Sequence, residues 1–259
     1  MIQSEECTMD LRQISAIDMH THYNHGSQRD TKVSEVYSAD LDYIRQMSLA
    51  ANIMVSFAST FASVLSPEGV VEENAYNYAR TQEIDWLFQW AVIEPRIEAT
   101  FEQAEQMLKN RKCVGIKIHP ANHGYALPDH ADRLFSFAAE RNAIILTHPD
   151  HTAEIPRYAD KYPDMTLIIA HLGSVEQIEA IRNARCANIF VDTSGRASSQ
   201  NRIIEHAVEQ VGSDRILFGT DTYAAGFQRG RIEYALISDE DKANILYKNA
   251  LKLFRRNLQ

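Results

Sequence analysis

Short apolar runs alternate along this chain with longer stretches in which apolar residues recur every three or four positions. The runs cover 14–22, 53–59, 85–93, 113–119, 143–148, 166–171, 188–194 and 215–221. They are rich in Ile, Val, Leu and Phe, and several are almost continuously apolar, as strands covered on both faces are. The intervening stretches carry stripes such as Leu41, Ile44 and Met47, or Phe101, Ala104, Met107 and Leu108. Two more are Leu134, Phe135, Ala138 and Ala139, and Ile203, Ile204, Ala207 and Val211. Such stripes predict helices that lay one face on a sheet. Ser38 or Asp40 is placed to cap the first helix, and Ser198 or Ser199 the helix after the seventh run.

Strands separated by one helix each run parallel. Eight strand–helix units in 259 residues predict an α/β fold, a (β/α)8 TIM barrel. The expectation is a single domain over 1–259, with 1–13 as an N-terminal extension and no room for an accessory β-sandwich. An open doubly wound sheet is the alternative, but no G-x-G-x-x-G follows the first strand.

Composition narrows the function classes only a little. Against 26 Lys and Arg stand 35 Asp and Glu, a net charge of −9, which argues against nucleic-acid and anionic-membrane partners. Cys7, Cys113 and Cys186 form no C-x-x-C pair, so neither a disulfide framework nor a thiolate zinc site is expected. No run is long enough to span a bilayer. The acidic first residues do not read as a secretory signal, which makes the cytoplasm the expected location.

The positions of the histidines change the picture. In a closed barrel the chemistry sits at the carboxyl ends of the strands. There the runs end on Asp18-Met19-His20-Thr21-His22, Lys117-Ile118-His119, Thr147-His148, Ala170-His171, Asp192-Thr193-Ser194 and Gly219-Thr220-Asp221. Residues two apart on a strand face one way. Strict alternation therefore projects His20 and His22 together with Asp18 below them, and pairs Lys117 with His119. Each residue alone has an ordinary structural explanation; a histidine or aspartate closing five of these runs points to a divalent-metal site of nitrogen and oxygen donors. His25, His123, His130, His151 and His206 fall in loops or on helical faces, although His25, His123 and His151 are close enough to strand ends to line a pocket.

The ordered set resembles the amidohydrolase superfamily of metal-dependent barrels. The segments GIKIHP, IILTHPD, LIIAHLGS, NIFVDTSG and ILFGTD, with the closing ILYKNALKLF, are similar to its amidohydrolase-related branch, which also contains decarboxylases. The resemblance implies that His20, His22 and Asp221 hold a buried metal, and that His148 holds the same ion or a second one. It further implies that His171 binds a second ion or polarises the substrate, and that Lys117 bridges two ions as a carboxylated lysine in two-metal members. The implied cofactor is Zn2+, one or two ions, with Mn2+ as the substitute.

The first functional expectation is a hydrolase that cleaves an amide, ester or lactone of a small molecule with metal-activated water, Asp221 moving the proton and His171 stabilising the oxyanion. A metal-dependent non-oxidative decarboxylase of a small unsaturated or aromatic acid is the alternative, and an inactive binding barrel is the third. An anionic substrate would be met by Arg196, with Lys117 and His119 as further contacts and Arg29, Lys32 and Arg229 as other cations near strand ends. Homo-oligomerisation stays open, since Phe135 and Tyr247 suit packing or a dimer contact equally well.

Overall fold

The computed structural model describes residues 10–25, 39–186 and 188–258. Ser38, Arg29, Lys32 and Cys7 lie outside the described residues. Eight parallel strands follow one another in sequence order: β1 Ala16–Tyr23, β2 Ile53–Thr60, β3 Leu87–Val92, β4 Cys113–Ile118, β5 Ile144–Thr147, β6 Thr166–Ile169, β7 Ile189–Asp192 and β8 Ile216–Leu217. The short β8 closes on β1 through backbone bonds from Met19 N to Phe218 O (3.0 Å), Asp221 N to His20 O (2.7 Å) and His22 N to Asp221 O (3.2 Å). The result is a (β/α)8 barrel.

Helices cover its outside: α1 Leu41–Ala50, α2 Phe61–Leu65, α3 Val70–Glu83, α4 Glu98–Met107, α5 Pro120–His123, α6 Leu127–Ala139, α7 Ile155–Lys161, α8 Val175–Asn183, α9 Ile203–Val211, α10 Ala225–Glu233, α11 Asp239–Ala243 and α12 Asn249–Leu253. Asp40 caps α1 by accepting from Tyr43 N, as its position predicts. Ser198 and Ser199 instead form a separate 3-10 turn, and α9 starts without a side-chain cap. The predicted stripes are the buried faces: Phe101, Ala104, Leu134, Ala138, Ile204 and Ala207 pack between helices and barrel wall. Phe135 is fully buried there, so it serves packing and not a dimer contact.

Inside the barrel the lower, amino-terminal half is filled by Ile17, Met19, Phe57, Trp90, Leu146, Ile168 and Leu217. Phe254, just beyond α12, closes that mouth with its ring 4.8 Å from Phe57 and 5.8 Å from Trp90. Trp90 donates its indole N–H to Met19 O at 2.8 Å, so the largest interior side chain leaves no polar atom unpaired. Gly115 faces this ring; a Cβ there would lie 2.6 Å from Trp90 and 2.4 Å from Ile144 O. Among the described residues no helix is long and apolar enough to cross a membrane.

Candidate metal centre

One irregularity in β1 decides which side chains enter the site. Asp18 pairs with Ser56 and Thr21 with Ala58, so β1 carries one more residue than β2 over this step. The bulge breaks strict alternation. Asp18 is therefore not below the histidines, as alternation predicts. Its carboxylate accepts from Thr220 N (3.0 Å), Thr220 Oγ1 (2.6 Å) and His20 N (3.2 Å), and ties the β8–β1 seam. Burial pushes its carboxyl up to about 8.

His20 and His22 do converge. Their Nε2 atoms are 3.2 Å apart, and Asp221 Oδ1 is 3.6 Å from His22 Nε2. The far nitrogens explain the arrangement. His20 Nδ1 donates to Asp192 Oδ2 at 2.8 Å, and His22 Nδ1 to Ser59 O at 3.2 Å. Each ring thus spends its N–H outward and turns an Nε2 lone pair inward, that of His20 with Lys117 Nζ 3.1 Å away. Two lone pairs facing each other across 3.2 Å in a buried site suit a cation held between them. Burial also holds His20 down to about 3 and His22 well below the usual imidazole range, which keeps both in the neutral, ligating form. Asp221 completes this trio of donors.

The same tautomer pattern extends outward. His171 Nδ1 lies 3.2 Å from Ser194 O, and His148 Nδ1 lies 2.9 Å from Asp150 Oδ1, so both expose Nε2. The rings of His20 and His171 are 5.1 Å apart, and those of His148 and His171 are 5.2 Å apart. His148 falls into a separate group with His119 and Asp150, its ring stacked on His119 at 4.0 Å. His119 caps α5 by accepting from Asn122 N, so it supports His148 and does not line the cavity. Lys117 is buried with Nζ 3.1 Å from His20 Nε2, and burial pulls its amine down to about 8.

Asp192 is the residue that reading strand ends for ligands passes over. It is fully buried, and besides His20 it accepts from His171 N (3.1 Å), Ser194 N (2.8 Å) and the Ser194 hydroxyl. Burial opposes its charge, but His20 and these donors hold its carboxyl below the ordinary range. The Asp-Thr-Ser end of the seventh run was its only signal in the sequence. His171 and Asp221 both adopt left-handed backbone, at φ 63° and 60°. Such conformations in non-glycine residues gather at functional sites, where neighbours over-determine them. Gly195, at φ 78°, leaves room for His171; a Cβ there would sit 2.7 Å from its Nδ1.

A cavity of about 790 Å³ opens beside this centre. His148, His171, Asp221, Tyr223 and Arg196 line it, as do Thr152 and Ala153, all beyond β5–β8. The Arg196 guanidinium pairs with no carboxylate among the described residues. The other predicted pocket residues go elsewhere. His25 pairs with Glu73 at 3.0 Å and stacks on Tyr76; His123 is buried against Glu94 at 3.2 Å. Arg229 lies at the opposite mouth, where it donates to Asn52 O, Leu11 O and Ile14 O and pairs with Glu233. It is a clamp on the amino-terminal segment and not a substrate contact.

A family model described as Amidohydrolase matches residues 17–256. The chain belongs to the amidohydrolase family. This amidohydrolase is similar in fold to 2,6-dihydroxybenzoate decarboxylase from Rhizobium, with a TM-score of 0.73 at 14% identity over 93% of this chain and 98% of the other. A dihydroxybenzoic acid decarboxylase from Polaromonas sp. JS666, solved with bound manganese and 2-nitroresorcinol, gives 0.73 at 15% over 95% and 98%. A putative amidohydrolase from Staphylococcus aureus gives 0.71 at 17% over 93% and 100%. No curated protein sequence matches the chain.

Proposed function

We propose that this amidohydrolase is a divalent-metal-dependent, non-oxidative decarboxylase of a small aromatic or unsaturated carboxylic acid, ahead of the hydrolase reading. The observation that carries it is the inward-facing Nε2 pair of His20 and His22, with Asp221 beside them, next to a cavity lined by Arg196, which pairs with no carboxylate among the described residues. End-to-end likeness in fold to decarboxylases supports the order of the two readings.

His20, His22 and Asp221 would hold the ion, with manganese the first candidate and zinc the second. When bound, the ion neutralises and orients the anionic oxygens of the substrate. Arg196 faces the cavity and binds carboxylate through paired hydrogen bonds. The reaction replaces a carbon–carboxylate bond by a carbon–hydrogen bond, so the site must deliver one proton to carbon as carbon dioxide leaves. Asp221 lines the cavity beside His22 and would relay that proton from water to the carbon. His171, with Nδ1 committed to Ser194, presents its other nitrogen to the substrate and restores the proton balance.

The test is product analysis with manganese-loaded protein, carboxyl-labelled hydroxybenzoates and a panel of lactones and esters in labelled water. Labelled carbon dioxide without incorporation of water oxygen is the expected result. Lactone or ester cleavage with water oxygen in the product would overturn it in favour of hydrolysis.

A further inference from the structure

The two sides of the mouth that bears the metal centre differ among the described residues. Its cavity is lined by residues beyond β5–β8, while α2 and α5, which follow β2 and β4, pack against each other on the other side. Asn122 donates to Val64 O at 3.0 Å, and His123 Nε2 lies 3.0 Å from Ser63 O. Phe61 of α2 sets its ring 5.8 Å from His22. His119, which starts α5, carries the ring stacked under His148.

One buried carboxylate holds these pieces together. Glu94 is fully buried just past β3. It accepts from Arg96 N (3.0 Å), Nε (2.6 Å) and Nη2 (3.1 Å), and lies 3.2 Å from His123 Nδ1. Arg96 in turn donates to His123 O at 2.5 Å, the last residue of α5. Removing a carboxylate from water costs several kcal/mol, and an apolar replacement of the same shape is often as stable. A buried ionic cluster is therefore weak evidence for stability, and its hydrogen bonds here tie Glu94 to both Arg96 and α5.

We propose that Glu94 is a positioning residue that fastens α2 and α5 into a fixed wall, and that this wall limits the size of ligand the centre admits. The second half of this inference rests on the reading of this mouth as the substrate site; the first half does not. Phe61 of α2 stands beside His22, so a ligand at the centre that extends away from Arg196 would meet α2 first.

The experiment uses the full-length protein loaded with manganese, as wild type, Glu94→Gln and Glu94→Ala. Hydrogen exchange is followed at the amides of α2 and α5, and calorimetry compares binding of 2-nitroresorcinol with that of 1-nitro-2-naphthol. The expected result is exchange at least tenfold faster in α2 and α5 alone, with manganese stoichiometry unchanged. The naphthol should gain at least tenfold relative to the resorcinol, more in the alanine variant than in the glutamine variant. Unchanged exchange in α2 and α5, or equal shifts for both ligands, would overturn the proposal. If wild type binds neither ligand, the decarboxylase reading fails, and the exchange data still decide whether Glu94 fastens the wall. Should the alanine variant not fold, the isosteric glutamine variant carries the same comparison.

Discussion

The two mouths of this barrel are built from opposite chemistry. At the amino-terminal mouth, Phe57, Trp90 and Phe254 meet edge to face or tilted, and Arg229 is spent on three backbone carbonyls and one glutamate. At the carboxyl-terminal mouth, histidines, aspartates and a lysine are buried together, and two of them sit in left-handed backbone. The first arrangement pairs the Trp90 indole and the Arg229 guanidinium that it buries. The second leaves nitrogen lone pairs facing one another and pushes the ionisable groups away from their ordinary values. A fold that keeps such a region must obtain its stability from the other end, which is how residues of equal burial come to have different jobs.

The largest effect should come from the polar mouth. Asp221→Asn should lower kcat by about three powers of ten, within the range for a lost proton-transfer group, with an unchanged circular dichroism spectrum. A variant that keeps wild-type turnover would remove Asp221 from the chemistry. The apolar mouth should answer in the other currency. Phe254→Ala should cost about 3–5 kcal/mol in denaturant unfolding, the usual range for an emptied aromatic site, with kcat of the folded fraction unaltered. If turnover falls with stability in that variant, the two mouths are not separable.

Asp192→Asn sharpens the contrast, because Asp192 touches His20, a proposed ligand, and is not part of the cavity lining. Manganese affinity should fall about 10–100-fold, as for other lost ligand-orienting carboxylates, and titration with the metal measures it. A stability loss with unchanged manganese affinity would make Asp192 part of the scaffold only. The smallest effect concerns pH. Glu94 is held below its ordinary value of 4.5; burial works against this, and the Arg96 hydrogen bonds outweigh it. Its contribution is complete above about 4.5 and is lost as pH falls through the folded value, since the unfolded chain binds the proton first. Unfolding curves between pH 6 and 3 should show this slope in wild type and a shallower one in Glu94→Gln.

Much of this was legible from particular residues. The apolar runs lie where the strands lie, and the histidine and aspartate ends of the first, sixth and eighth runs do meet at one mouth. Asp18 was not legible, because the side a strand residue faces depends on its pairing, and β1 carries an extra residue against β2. His119 and His123 show a related dependence on tertiary packing. Both stand close to a strand end, and only the packing of α5 on α2 shows that they support the site from behind. Arg229 follows the eighth strand by twelve residues, a distance that α10 uses to carry it to the opposite mouth.

What the sequence by itself determined was periodicity and end chemistry: parallel strands, covering helices, and the residue types that terminate each run. Those follow from local rules, since burial on both faces and helical spacing are written in consecutive residues. Which ring nitrogen points inward was decided by the tertiary structure alone. Asp192, Ser59 and Ser194 reach the imidazoles of His20, His22 and His171 from other strands and loops, and a hydrogen bond between distant segments exists only once the barrel has closed.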